Sequence, residues 1–401
     1  MPKHSEIQSK IFLKPYQDER VLNGHLWIFS NEIERKVDVG TPGSLVQIYS
    51  NIKKFLGIGF YNPHSLIAVR ILTDLDEKIS IDFFIQRIQS ALEMRKQIYP
   101  GENAYRLVFG ESDRLPGLII DRYENCFAVQ SNCLGMDILI PQIVEALKFV
   151  FKDISITIIL KNDSELRTME NLEQEVKVIH GKTNFPIQIQ QKFGDEQIYF
   201  SVDPIGGQKS GFFFDQRENR ELFSKYCSEK KVLDCYSYTG AFGIYAAKNN
   251  AQEITSVDSS EPACQLIKSN FESNKINGNI ICDDVESVLE QFKSEKHRFD
   301  TIVLDPPALA KTKKNLFGAL RKYQKINSLA LSLLNPKGIL LTCSCSHHVD
   351  RSAFIKMIQA AAIESKRSVQ LLEMRGQSKD HPIFPAMPET DYLKCAVIRA
   401  N

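Results

Sequence analysis

The sequence predicts an α/β chain in three parts. A β-rich unit comes first, a small α+β module follows, and the C-terminal domain is a parallel sheet with helices on both faces. Three observations carry this. From about residue 195, short apolar strands alternate with helical segments, the βαβ pattern of a parallel sheet. Residues 11 to 73 instead hold strand-length apolar runs parted by turn residues. At 401 residues the chain also exceeds what one ordinary core holds. The boundaries expected are 1–75, 76–190 and 191–401.

Each element has its own signal. Gly43 to Tyr49 and Phe55 to Tyr61 are apolar strands, Asn62-Pro-His-Ser65 is a turn, and Leu66 to Leu72 is the returning strand. Ile81, Phe84, Ile85, Ile88 and Leu92 fall on one face of a helix over residues 80 to 98. In the module, Leu118–Ile120 and Phe127–Val129 form a hairpin around Arg122 to Asn125. Asp137 to Phe151 is an amphipathic helix, and Ile154 to Leu160 is a β-branched strand. The C-terminal domain opens with strand Lys231 to Asp234, then a helix through Ile244 and Ala247. Strand Glu253 to Asp258 follows, with a helix that Ser259 or Ser260 caps and that Glu261 and Pro262 suit. Ile280 to Cys282 and Phe299 to Asp305 are the next strands. Asn335-Pro-Lys-Gly338 ends a helix and turns into strand Ile339 to Cys343.

Composition narrows the classes. Hydrophobic residues make up 43% and charged residues 25%, values of a folded protein. The apolar runs are too short to span a bilayer, and residues 1 to 10 are too polar for a secretion signal. Nine cysteines without a Cys-x-x-Cys pair read as reduced thiols in a cytoplasm. Fifty Lys plus Arg against 49 Asp plus Glu give no net attraction to phosphate. Nucleic-acid binding would have to use local patches, Lys53-Lys54, Lys311-Thr-Lys-Lys314 and Arg321-Lys322, each of which alone reads as a solvated surface.

Ligands of such sheets sit at the carboxyl ends of the strands. Asp234, Asp258 and the pair Asp283-Asp284 end three successive strands. The turn after Asp234 lacks G-x-G-x-x-G, so a pyrophosphate does not fit. A carboxylate there suits a ligand bearing an ammonium group, as S-adenosylmethionine (SAM) does. Asp258, 24 residues on, is placed to accept from ribose hydroxyls, and Asp284, with Asp283 as the alternative, from an adenine amino group. Any one of these aspartates alone reads as a cap or turn residue; three at successive strand ends do not. Asp305-Pro-Pro307 fixes a carboxyl at the rim, able to bind the edge of a flat heterocycle. In Thr342-Cys-Ser-Cys-Ser346, Cys343 and Cys345 share a face at period 2. Three roles compete: inert buried thiols, metal ligands with His347 and His348 at too tight a spacing, or a nucleophile that adds to carbon 6 of a pyrimidine so that carbon 5 can take a methyl group. Proximity to the strand-end acids favours the nucleophile.

At these residues the sequence resembles a known family: class I SAM-dependent methyltransferases of the bacterial 23S rRNA 5-methylcytosine type, the large subunit methyltransferase I group. Gly206-Gly-Gln-Lys-Ser-Gly-Phe-Phe-Phe-Asp-Gln-Arg217 is the most specific match. Val232-Leu-Asp-Cys-Tyr-Ser-Tyr-Thr-Gly240, Asp305-Pro-Pro-Ala-Leu-Ala-Lys311 and Thr342 to Ser346 also match. The resemblance implies a Rossmann-like SAM-dependent methyltransferase domain behind a PUA-like RNA-binding barrel. Gly24-His-Leu-Trp-Ile-Phe29 stands where the family reads Arg-His-Pro-Trp-Val-Phe, and Trp27 is read as core packing. The resemblance places Lys209 and Asp215 near the amino acid end of SAM. The cofactor set is completed by Ser237, Tyr238 and Gly240 beside Asp234, and Ser259 beside Asp258. The related two-cysteine enzymes carry a cysteine after Asp-x-Pro, where this chain has Ala308. Their Thr-Cys-Ser motif aligns the nucleophile with Cys345 rather than Cys343. The expectation is a cytoplasmic RNA methyltransferase with SAM as cofactor, 23S rRNA as partner, no metal, no membrane, and homodimerisation left open. The rivals are a base-amino methyltransferase using Asp305-Pro-Pro307 without a covalent step, and a SAM-binding ribosome assembly factor.

Overall fold

The structure is a computed structural model and describes residues 7–207, 210–310 and 312–401. Lys209, Lys311 and the polar start at residues 1–6 lie outside the described residues. The chain divides into two compact units. The first takes in the chain to Ile189, then Val202–Phe212 and Lys379–Thr390. The second is Gln190–Ser201, Phe213–Ser378 and Asp391–Asn401.

The first unit holds two sheets. β1 (Lys10–Leu13), β2 (Trp27–Phe29), β3 (Ile33–Val37), β4 (Leu45–Tyr49), β5 (Phe55–Tyr61) and β6 (Ile67–Thr73) form a six-stranded sheet in the order β2-β6-β5-β4-β1-β3. Its core is Ile11, Leu13, Ile28, Val46, Ile48 and Val69, and Trp27 packs at the edge of it. β7 (Ala104–Phe109), β8 (Leu118–Tyr123), β9 (Cys126–Ser131), β10 (Thr157–Asn162) and β11 (Glu175–His180) form the second, in the order β11-β10-β9-β8-β7. The helix Ile81–Ile98 buries Phe84, Ile85, Ile88 and Leu92 in that sheet's core, as their spacing requires.

Sequence boundaries shift within this unit. The single helix expected from Asp137 to Phe151 is two helices, Leu134–Ile138 and Ile140–Val150. They part at Leu139 because Pro141 lacks an N–H and belongs in a first turn. The strand expected from Ile154 begins at Thr157, since Ile154 closes a turn on the Phe151 carbonyl.

Polar contacts tie both late segments into this unit. The Tyr123 hydroxyl donates to the Ser210 carbonyl at 2.8 Å, Ser210 Oγ donates to Asp121, and Lys161 Nζ donates to the Ile205 carbonyl at 2.6 Å. Fully buried Arg95 donates to Asp113 at 2.5 and 2.7 Å and to the Asp380 carbonyl at 2.8 Å. Met387 lies fully buried in the core of the first sheet.

In the second unit most of a two-stranded ladder, β12 (Ile187–Phe193) and β13 (Glu196–Val202), precedes a seven-stranded sheet. That sheet comprises β14 (Lys231–Cys235), β15 (Glu253–Asp258), β16 (Asn279–Cys282), β17 (Phe299–Leu304), β18 (Leu334–Ser344), β19 (Val369–Arg375) and β20 (Lys394–Ala400). The order is β16-β15-β14-β17-β18-β20-β19. β14 to β18 pair in parallel, and β20 runs antiparallel to both neighbours. β18 starts at Leu334, before the expected Ile339, with an irregularity in its pairing to β17. The strand order reverses between β14 and β17, and a crevice opens at the carboxyl ends of the strands at such a switch point.

Candidate active site

The sheet's carboxyl edge gathers the acids and thiols that the sequence singled out. Asp234 sits one residue before the end of β14 and is 1% exposed. Its Oδ2 accepts from the Gly243 N–H at 3.0 Å. Burial pushes its carboxyl up to about 7 against the pull of that N–H, with Asp305 adding to the rise. The turn that follows is tight: Tyr236, Tyr238 and Gly240 all have positive φ, of 63°, 49° and 72°. At Gly240 a Cβ would also meet Ile267 Cγ2 at 3.0 Å, so a side chain there would be both strained and crowded. Ser237 Oγ closes the turn on the Asp234 carbonyl at 2.6 Å.

Asp258 ends β15. One carboxylate oxygen accepts from the Tyr238 N–H at 2.9 Å and the other from the Ser260 N–H at 3.0 Å. It thus locks the two turns together and retains lone pairs for a ligand. Of the two serines expected to cap the next helix, Ser260 does so, accepting from the Ala263 N–H at 3.4 Å, and Ser259 is exposed. Asp284 caps the helix Val285–Ser294 through the Ser287 N–H at 3.0 Å. Asp283 accepts from the Asp284 N–H at 2.7 Å, and both aspartates are exposed.

Across the switch point, Asp305 stands one residue past β17. Gln216 Nε2 donates to its Oδ1 at 2.9 Å, and the same glutamine reaches the Cys343 thiol. The Ala310 N–H donates to Ser346 Oγ at 3.0 Å, joining the Asp305 loop to the end of the cysteine segment.

The two cysteines are not equivalent, although period 2 put them on one face. Cys343 is fully buried in β18 opposite Cys395 of β20. Burial, then its contact with Cys395, raises its thiol well above the usual range. Cys345 lies one residue beyond β18 and is half-buried, where the chain has left the ladder.

Lys394 was not singled out from the sequence. It opens β20, which runs antiparallel to β18 and so begins at the same edge; Lys394 pairs with Ser344. It is 4% exposed and donates to the Ser346 and Tyr392 carbonyls, both at 2.7 Å. Burial lowers its ammonium to about 8, while Cys345 and Asp391 pull the other way. A lysine heading the apolar run Cys395–Ile398 was the signal available. Asp215 was expected near the cofactor; here it is buried, and its Oδ2 accepts from the Tyr392 hydroxyl at 2.6 Å. Buried Arg220 feels both Asp215 and Asp305. Among the described residues no group of three or more His, Cys, Asp or Glu is placed to hold a metal ion.

Comparison with known proteins adds the following. The family described as PUA-like domain matches residues 11–74, and that described as Conserved hypothetical protein 95 matches residues 216–359. Ribosomal RNA large subunit methyltransferase I of Aeromonas salmonicida is 40% identical, over 98% of this chain and 99% of its own length. The protein of that name from Shewanella frigidimarina is also 40% identical, over 97% and 99%. Among solved structures, a protein of Streptococcus mutans described as a SAM-dependent methyltransferase has the same fold, with a TM-score of 0.80 at 20% identity over 97% of this chain and 99% of that one. A methyltransferase solved with SAH gives a TM-score of 0.82 at 21% identity over the same shares.

Proposed function

The chain belongs to the ribosomal RNA large subunit methyltransferase I family, and on that premise we propose that it is a SAM-dependent enzyme that methylates carbon 5 of a cytosine in large-subunit (23S) ribosomal RNA. One observation carries the proposal. Asp258, Asp234, Asp305 and Cys345 follow one another across the carboxyl edge of the sheet, at the ends of β15, β14, β17 and β18, with the switch point in the middle. Cofactor chemistry falls on one side and base chemistry on the other.

The side chains fit SAM. Asp234 is a buried carboxylate suited to an ammonium group, and Asp258, whose two oxygens are held by backbone N–H groups, is assigned the ribose diol. Ser237, Tyr238, Gly240 and Ser259 shape the two turns, with Asp283 or Asp284 toward the adenine and Lys209 and Asp215 toward the amino acid end. Bound SAM supplies an electrophilic methyl carbon. Asp305 holds the cytosine edge: a carboxyl accepts from the exocyclic amine and, when protonated, donates to the ring nitrogen. The Cys345 thiolate forms a bond to carbon 6, and the displaced electron pair makes carbon 5 nucleophilic. Once carbon 5 has taken the methyl group and SAH is left, a base takes the carbon 5 proton, and the electron pair of that C–H bond expels the Cys345 thiolate from carbon 6. Cys343 is assigned packing rather than attack. The three-part division at 75 and 190 remains part of the proposal, as does a cytoplasmic location, where ribosomal RNA is found. Among the described residues no helix is long and apolar enough to cross a membrane.

Nucleoside analysis of rRNA treated with the purified enzyme tests the function. 5-Methylcytidine is expected. An N-methylated base would establish the amino-methyltransferase alternative, and no methylated product would leave an assembly factor.

Two predictions concern single groups. Asp258→Ala should weaken SAM binding by about 1–3 kcal/mol, the scale of lost charge-assisted hydrogen bonds. Calorimetry on the full chain measures this, and unchanged affinity would remove Asp258 from the site. Lys394→Met should slow alkylation of Cys345 by iodoacetamide at pH 7 about ten-fold, because a cation beside a thiol favours the thiolate. The sign follows from the lysine's lowered value of about 8. It is charged below that pH, so its support is present at pH 7 and fades above 8. The variant and the parent should therefore converge as pH rises, in peptide-resolved mass spectrometry. Equal rates at pH 7 would show that Lys394 only packs.

A further inference from the structure

Two short segments frame the base side of the candidate site, and one buried hydroxyl joins them. The segment after β17 runs from Asp305 to Ala310 with no regular structure. Pro306 and Pro307 stiffen its near end. Its far end is pinned, because the Ala310 N–H donates to Ser346 Oγ. At the end of β18, Cys345 stands between Ser344 and Ser346, two serines that are fully buried.

Ser346 is engaged at each of its polar atoms. Its N–H donates to Ser344 Oγ at 3.3 Å. Its carbonyl accepts from Lys394 Nζ at 2.7 Å and from the Val349 N–H at 3.1 Å. Its Oγ meets the Tyr323 hydroxyl at 3.0 Å. Tyr323 comes from the helix Leu316–Leu333 and is fully buried in the hydrophobic core of this unit. Its hydroxyl also meets the Ser344 side chain and the Leu309 backbone. Burial holds the phenol above its ordinary value against those hydrogen bonds, and Cys345 adds to the rise. The phenol therefore stays neutral, with a proton to donate.

A phenylalanine would fill the same place in that core with no polar group to satisfy. The hydroxyl instead reaches both segments: Leu309 on the side of Asp305, and Ser344 and Ser346 on either side of Cys345. On the proposed mechanism Asp305 holds the cytosine edge while Cys345 attacks carbon 6. The spacing of the two segments then sets the geometry of attack, where a displacement of about 1 Å costs about 10²-fold in rate. We propose that Tyr323 and Ser346 are positioning residues for methyl transfer: the phenol fixes Ser346, and Ser346 holds the Cys345 thiol in place against the base that Asp305 carries. The proposal rests on the reading of Cys345 as nucleophile and gives a role to two residues outside it.

Tyr323→Phe and Ser346→Ala each remove one hydroxyl from the full chain. Steady-state kinetics on rRNA should give a kcat about ten- to hundred-fold lower in each, with KM for rRNA and SAM affinity unchanged. The double variant should be no slower than the worse single one, because the two hydroxyls act as a unit. Trapping of 5-fluorocytosine RNA on Cys345 should slow by the same factor as kcat. Alkylation of Cys345 by iodoacetamide, followed peptide by peptide, should keep the parent's rate, because a small reagent reaches the thiol in any orientation. An alkylation rate that fell with kcat would overturn the proposal, since the hydroxyls would then tune the thiol's ionisation rather than its place. Losses that multiply in the double variant would overturn it as well. So would variants that melt lower and regain the parent's kcat on cooling, which would show packing alone. Full activity in Tyr323→Phe beside an inactive Cys345→Ala would overturn the positioning role and leave the functional reading standing. Full activity in Cys345→Ala would break that reading, and the positioning role with it.

Discussion

Cys345→Ala is expected to lower methyl transfer by about 10⁴-fold or more, the scale on which a covalent nucleophile is missed, while SAM affinity stays unchanged. The physical reason is that carbon 5 of cytosine is too poor a nucleophile to take a methyl group unless a thiolate has added to carbon 6. The structure separates the two thiols in a way that sharpens the test. Cys343 is fully buried and pressed against Cys395, an environment that holds it protonated. Cys343→Ala should therefore cost packing, of the order of 1 kcal/mol in stability, and leave most of the activity. RNA containing 5-fluorocytosine should trap an adduct on the peptide that holds Cys345, since fluorine does not leave as a proton does. An adduct on Cys343 would move the nucleophile by two residues. Full activity in the Cys343/Cys345 double variant would replace the covalent route with methylation of an exocyclic amine.

Asp305→Ala is expected to lower kcat by about 10²–10³-fold, the loss typical of removing one preorganised polar contact to the reacting group. SAM affinity should move little, because Asp305 stands across the switch point from Asp234 and Asp258. Single-turnover kinetics under saturating SAM measures the effect directly. On the proposed reading Gln216 would act by positioning: its amide donates to one oxygen of Asp305 at 2.9 Å and itself accepts from Asn219 at 2.6 Å. Gln216→Ala should cost about ten-fold in kcat by releasing that carboxyl. Gln216→Glu should do worse, because it sets one carboxylate against another. If Asp305→Ala kept its rate and instead lost SAM affinity, the acid would belong to the cofactor side of the site.

Much of the candidate site's placement was legible because strand ends are. Short buried strands followed by turn and capping residues announce where a parallel sheet presents its carboxyl edge, and Asp234, Asp258, Asp305 and the cysteine segment all stand at such ends. The strand order, with β14 and β17 side by side, could not be read that way. Register and neighbour choice are settled by long-range pairing, and no local signal encodes that. The same limit hid Lys394, which meets the Cys345 segment only because β20 inserts antiparallel beside β18. It also hid the inequality of Cys343 and Cys345: period 2 holds within a strand, and β18 ends between them.

The sequence by itself determined the composition class, the alternation of strands and helices, the acids at strand ends and the motifs that tie the chain to its relatives. Each depends on residues close together in the chain, where backbone propensity and apolar periodicity act directly. Only the tertiary structure decided which distant segments fold together. Lys379–Thr390 lies nearly at the C-terminus, yet it returns to the first unit, where Met387 fills the core of the first sheet and Asp380 meets Arg95 and Arg106. A fragment starting near residue 190 would leave that methionine without its partners, so the SAM-binding test is made on the full chain. The reason is that burying an apolar side chain and pairing a buried guanidinium depend on which groups are near in space, and that proximity does not exist until the chain has folded.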